Sequence, residues 1–256
     1  MPQLKSIIIS IFMIASIPSN AHAFLITENN FVYDSNLNAV WSSDANLFAT
    51  LQSADPSGPN DFINKVIAAN NGVVNDTPNS FDTPSDSGTY DLTSSDFSWY
   101  TGQVDWWGAV AFVNYLNSIS YAGLSNWSLP STPDQDSSAG YNQTTSQLGE
   151  LFYNELGGAQ DTPITTNLFT NWNETNNTNG VYWSNEYSAS ANYAWYFDTY
   201  QGYQDFYANK IFSYNVMVIS DNASWFMLPL PSSFGLFAGA IGGIYAGFLR
   251  KKTTQR

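Results

Sequence analysis

The chain has 256 residues and is 16% aromatic but only 11% charged, with 21 acidic side chains against 7 basic ones and a formal net charge of −14. This much apolar and aromatic surface supports a packed core and excludes wholesale disorder, while the negative field repels nucleic acid and anionic lipid. Cysteine is absent and the single histidine is His22, so beyond that residue thiol and imidazole catalysis, and zinc, copper or haem held by such groups, are excluded.

Met1 to Ala23 carries Lys5, an apolar run from Ile7 to Ile17, a break at Pro18 and the small-x-small triplet Ala21-His22-Ala23. This pattern predicts a secretory signal peptide over residues 1–23, cut by signal peptidase after Ala23. Such a short apolar run falls short of the ~30 Å hydrocarbon core at ~1.5 Å per residue.

Residues 24–226 hold all 21 carboxylates and only two cations, Lys65 and Lys210. The length fits one domain. Phe31-Val32-Tyr33 and Ala39-Val40-Trp41, separated by Asp34-Ser35-Asn36, predict two short strands and a turn. From about residue 51 to 103 the chain is rich in Asp, Asn, Ser, Pro and Gly, and reads as a surface loop insertion.

Asp105 is placed to cap a helix that begins at Trp106, with Ala109, Val110, Val113 and Leu116 on a buried stripe and a stop at Tyr121-Ala122-Gly123. Trp127-Ser128-Leu129-Pro130 predicts a strand ending at its proline. Thr144 and Gln147 have capping-box spacing for a second helix that buries Leu148, Leu151, Phe152 and Leu156 and ends at Gly157-Gly158. Strands follow at Val181-Tyr182-Trp183, Tyr193 to Phe197 and Tyr214 to Ile219, with a turn at Gln201-Gly202. Two helices among short antiparallel strands make an α+β domain.

Met227 to Leu249 has no charge and is followed by Arg250-Lys251-Lys252, which predicts a transmembrane helix with a cytoplasmic C-terminus. Gly235, Gly239, Gly243 and Gly247 form a small-residue ridge on such a helix. The order Pro229-Leu230-Pro231, glycine-rich span, basic tail resembles the PEP-CTERM sorting signals of Gram-negative bacteria, in a Pro-Leu-Pro variant. That resemblance implies export across the inner membrane, transient anchoring, processing by an exosortase-like sorting enzyme, and delivery to the cell surface or the extracellular matrix of a biofilm.

The body carries a second resemblance. Tyr33-Asp34, Trp41 with Asp44-Ala45-Asn46, Trp127-Ser128-Leu129-Pro130, Gln147 to Tyr153, Tyr182-Trp183-Ser184 with Glu186-Tyr187, and Ala194-Trp195-Tyr196-Phe197 together resemble the DUF1566 family, also called the Lcl C-terminal domain. The implied fold is C-type-lectin-like. Family members commonly carry arginines where this chain has Ser128 and Val218, so anion binding is not implied here.

The lectin resemblance places a ligand loop between the Trp127 and Val181 strands, with Asp134, Asp136, Tyr141, Trp172, Asn173 and Glu174 as candidate sugar-binding residues. Trp183 and Trp195 read as core. Asp134-x-Asp136-x-Ser138 begins like a calcium loop, but Ala139 and Thr145 break the EF-hand pattern. The expectation is therefore no cofactor, with a structural calcium left open on so acidic a surface. The chain reads as a non-catalytic, exported recognition or matrix protein associated with exopolysaccharide. Two alternatives stand beside it, a carboxylate-dependent glycan-cleaving enzyme and a purely structural surface component.

Overall fold

The computed structural model describes residues 24–172 and 180–223. The expected signal and sorting segments, with Ala21, Ala23, Pro229, Pro231, Arg250, Lys251 and Lys252, lie outside the described residues, as do Asn173 and Glu174. Among the described residues no helix is long and apolar enough to cross a membrane.

The described residues form an α+β structure with four α-helices and antiparallel sheets. In chain order come β1 (Leu25–Glu28), β2 (Phe31–Asp34), β3 (Ala39–Ser42), α1 (Leu47–Ala54), α2 (Pro59–Ala69), β4 (Val73–Asn75) and β5 (Thr89–Asp91). After them come α3 (Trp106–Ser118), β6 (Trp127–Ser128), β7 (Gly140–Tyr141), α4 (Gln147–Gly149), β8 (Val181–Glu186), β9 (Tyr193–Asp198), β10 (Tyr203–Asn209) and β11 (Ile219–Ser220). A five-stranded sheet has the order β1-β2-β3-β11-β6, a four-stranded sheet β7-β10-β9-β8, and β4 pairs with β5 alone.

The period of two along a strand sends neighbouring side chains to opposite faces. Here both faces of the larger sheet's inner strands β2, β3 and β11 are covered. Phe31 and Val40 enter a core built with α1, α2 and α3, whereas Val32, Ala39 and Trp41 enter a second core with Leu148, Leu151 and Phe152. The same alternation in β8 sends Trp183 to the first core and Tyr182 to the second. These strands therefore read as continuous apolar runs because neither side meets water.

Asp105 caps α3 as expected, its Oδ1 accepting the Gly108 N–H at 2.7 Å. The predicted stripe is present but too narrow. Trp107, Ala111 and Phe112 are buried as well, because α2 covers the far side of α3 with Phe62, which meets Phe112 and Tyr115 at 6.4 and 5.6 Å between ring centres.

Several expectations are corrected. Two helices were expected in the domain and four are present among the described residues, since residues 51–103 are more than a surface loop. Within that segment α2 buries Phe62, Ile63 and Val66 in the main core. The polar residues that mask this pattern lie on the outer side of α2, as an amphipathic helix requires.

The second helix is capped by Ser146, whose Oγ accepts the Gly149 N–H at 3.0 Å, and not by Thr144. Gln147 instead accepts from the Ser131 N–H at 2.7 Å, and the helix widens into a π turn over Glu150–Glu155. β10 went unpredicted because its alternation runs against hydropathy. Gln204 is fully buried, bonded to Ser146 Oγ and to the Ser138 carbonyl, while Tyr207 faces solvent.

The strand expected over Tyr214 to Ile219 shortens to Ile219–Ser220. Tyr214 and Asn215 make single bridges to Val104 and Tyr182 as the chain crosses between sheets. That crossing leaves too few consecutive partners on either side for a longer ladder.

One polar knot joins the pieces. Lys210, just after β10, is fully buried, and its Nζ lies 2.6 Å from Asp76 Oδ2 and 2.5 Å from Glu186 Oε1. The ammonium sits 4.2 Å from the centre of the Trp106 ring and 5.5 Å from that of Trp107.

Phe62→Ala should destabilise the domain by about 3–5 kcal/mol, the cost of emptying an aromatic core position. Denaturant unfolding checks this. A residue in a peripheral loop would change stability by less than about 0.5 kcal/mol.

Candidate functional site

Of the residues singled out from sequence, the described ones, Asp134, Asp136, Tyr141 and Trp172, engage different partners. Asp134 and Asp136 lie together on the surface after β6. Asp134 Oδ1 accepts from Trp195 Nε1 and Oδ2 from the Ser188 N–H, each at 2.9 Å. Asp136 Oδ1 accepts from the Tyr187 hydroxyl at 2.6 Å. Tyr187 stacks on Phe206 at 4.1 Å and meets Trp195 edge-on. Both carboxylates thus fasten an aromatic cluster at the end of the smaller sheet. Burial would raise the pKa of Asp134, but the Ser188 and Trp195 hydrogen bonds outweigh it and hold the carboxyl below its usual value.

Trp172 is buried, with its ring 6.2 Å from Tyr182 and 5.5 Å from Phe169. Trp172 packs with Tyr182 and Phe169 in the second core, whereas Asp134 fastens the separate Tyr187–Trp195–Phe206 cluster. Tyr141 lies on β7 against Tyr203, with ring centres 4.9 Å apart. Trp183 and Trp195 are core residues, as expected. In the calcium-like triplet Ser138 is buried while Asp134 and Asp136 are exposed. Among the described residues no group of three or more His, Cys, Asp or Glu side chains is arranged to hold a metal ion.

A different place combines exposed aromatic surface with convergent polar groups. The turn Trp99-Tyr100 stands beside α1, with Trp99 70% and Tyr100 82% exposed and their rings edge-to-face at 5.7 Å. They border a cleft of about 300 Å³ lined also by Thr50, Gln52, Ser53 and Asn171.

The floor of this cleft is rigid. Asp44 accepts from Thr50 Oγ1 at 2.5 Å and from Asn171 Nδ2 at 2.8 Å, and Asn171 also donates to Thr50 at 3.0 Å. Gly102, at φ +71°, lets the turn settle on α1, since a Cβ there would lie 2.2 Å from the Ala49 Cβ. Buried Asn46 beneath the turn keeps Oδ1 without a hydrogen-bond partner.

Sequence reading passed over this cleft because it falls in the supposed loop insertion. The available signal was two adjacent large aromatics, Trp99-Tyr100, within an otherwise polar turn. A second, larger cleft of about 560 Å³ is lined by Glu155, Leu156 and Thr165 to Leu168. There burial, together with the charges of Asp34 and Glu150, pushes the Glu155 carboxyl up to about 7.

Two acid pairs are closed off from these clefts. Asp76 and Glu186 share Lys210. Asp96 and Asp105 are both buried, Asp96 accepting from the Tyr90 hydroxyl at 3.0 Å and from the Thr93 N–H at 2.6 Å. Burial first, and then the charge of Asp96, push Asp105 up to about 8. A buried carboxyl stays protonated beside an ionised neighbour because two like charges there cost more than one.

Scans against protein-family models, curated proteins and solved structures found no match to this chain.

The raised Asp105 has a testable consequence. Unfolded Asp ionises near 3.8, whereas the folded group holds its proton to about 8, so this contribution is complete below pH 4 and is lost as pH rises to about 8. Asp105→Asn keeps the helix cap and removes the titration. Urea unfolding of the wild type at pH 5 and pH 8 should show a loss on the order of 3 kcal/mol that the variant lacks.

Proposed function

We propose that this is an exported, non-catalytic recognition protein of the cell surface or extracellular matrix, and that the Trp99–Tyr100 cleft takes a saccharide. The observation carrying this reading is the exposed Trp99–Tyr100 pair beside fixed polar side chains. A sugar ring presents apolar C–H faces and equatorial hydroxyls, so it needs an aromatic plane and hydrogen-bonding groups around it. Thr50, Gln52, Ser53 and Asn171 supply the second requirement. This assignment moves the ligand site away from the loop that holds Asp134, Asp136 and Tyr141.

The C-type-lectin-like fold and DUF1566 membership belong to the same proposal and rest on the motif series in the body. The leader and the Pro-Leu-Pro tail support export with signal peptidase and an exosortase-like enzyme as processing partners, and with extracellular polysaccharide as ligand. A glycan array with the exported protein, followed by titration of the best saccharide, tests the site. Trp99→Ala should weaken binding roughly tenfold or more, the usual cost of losing a central aromatic anchor. Absence of saturable binding by the wild type, or unchanged affinity in the variant, would overturn the reading.

A second reading, carboxylate-dependent glycan cleavage, is favoured by Glu155 alone. A carboxyl held near 7 beside Glu150 at an open cleft has the protonation state of a general acid. If that reading holds, Glu155→Gln should abolish release of reducing ends from a polysaccharide panel while leaving array binding at Trp99 intact.

A further inference from the structure

We infer that Lys210 and Asp76 form a spontaneous intramolecular isopeptide bond, with Glu186 carrying the protons. Lys210 Nζ lies 2.6 Å from Asp76 Oδ2. An amine in hydrogen-bond contact with a carboxylate oxygen is about 3–3.5 Å from the carboxyl carbon, the separation of a near-attack arrangement. Both side chains are shut away from water, Lys210 wholly and Asp76 at 2% exposure. Trp106 and Trp107 wall the ammonium. Dry surroundings matter because amide formation expels water and competes poorly in bulk solvent.

The third member of the knot fits the role of proton carrier. Glu186 Oε1 accepts from Lys210 Nζ at 2.5 Å, and Glu186 Oε2 accepts from Thr77 Oγ1 at 2.8 Å, which fixes its orientation. Donors also converge on the electrophile. Trp107 Nε1 lies 2.9 Å from Asp76 Oδ2, and Asn79 Nδ2 reaches both Asp76 oxygens at 3.3 and 3.2 Å. Such fixed donors stabilise the oxyanion that develops when a nucleophile adds to a carboxyl carbon. Burial raises the Asp76 pKa in spite of its Lys210 partner, which eases proton delivery to the carboxylate as the amine adds.

The step balances without any outside reagent. Glu186 takes a proton from the Lys210 ammonium, and the freed amine attacks Asp76 Cγ, forming the C–N bond. Glu186 then returns that proton to one Asp76 oxygen, and a second nitrogen proton follows it. The C–O bond breaks and one water leaves. Ammonium plus carboxylate have become a neutral amide and water, with Glu186 regenerated.

The link would join residues 134 positions apart in a chain without cysteine. It would do what a disulfide does, clipping the β4 region to the end of β10.

The test is peptide mapping of the full chain, purified, denatured and digested with trypsin. A free Lys210 is a cleavage site and a bonded one is not. The expected product is one peptide running through Lys210 from residue 66 to Arg250, about 18 Da lighter than its sequence mass, with fragmentation placing the link at Asp76. Release of the 66–210 peptide at its full mass would overturn the proposal. Glu186→Gln should retain the far-UV spectrum of the wild type and form the link at least a hundredfold more slowly, as loss of a proton carrier requires. Equally fast linkage in that variant would overturn the role given to Glu186.

Discussion

Everything in this domain is arranged around one buried cation. Among the described residues Lys210 is the sole basic side chain in the core, and three regions distant in sequence meet at its ammonium, namely Asp76 after β4, Glu186 at the end of β8 and Trp106-Trp107 at the start of α3. Two carboxylates brought this close would repel without it. Removing one member of such a buried set costs about 3–5 kcal/mol, because the remaining charges stay desolvated and unpaired. The backbone reinforces the junction, with the Trp106 N–H donating to the Lys210 carbonyl at 2.9 Å and the Lys210 N–H to the Asn192 carbonyl at 3.0 Å.

The aromatic richness has a matching logic. Trp107 stacks on Tyr90 at 3.9 Å and donates to Asp76, Trp183 donates to the Val104 carbonyl, and Trp41 donates to Asp34. Buried indoles of this kind bring large apolar area with one polar edge that needs a partner. Here the partners are carboxylates and backbone oxygens, so part of the acidic excess is spent inside the protein. Other carboxylates, Asp134 and Asp136 among them, fasten surface turns. The net charge of −14 is therefore only partly a solvated coat.

The same accounting bears on function. Acid pairs are abundant, yet Asp96 with Asp105 is sealed and Asp76 with Glu186 is bridged. Of the two clefts, the one bordered by the Trp99-Tyr100 turn combines exposed aromatic rings with a braced polar floor. Recognition through that turn is compatible with a rigid body because its support, Asp44, Thr50 and Asn171, links α1 to the chain beyond α4.

Local patterns carried much of the fold. The turn between β2 and β3, the Asp105 cap, the buried stripe of α3, the edge at Trp127 and the apolar runs of β8 and β9 were legible because each depends on neighbours within a few residues. Most of the short strands were legible for the same reason, whereas α1, α2 and β10 were not. What only the tertiary structure decided was which polar residues go inside. Gln204 is buried because Ser146 and Ser138 meet it from 58 and 66 positions away. Lys210 is buried because Asp76 and Glu186 surround it. The 51–103 segment folds onto α3 through Phe62, and the Trp99-Tyr100 turn becomes a cleft only once α1 lies beside it. Periodicity reports on hydrophobic faces, whereas the satisfaction of a buried polar group depends on partners that only the folded chain brings within hydrogen-bond distance.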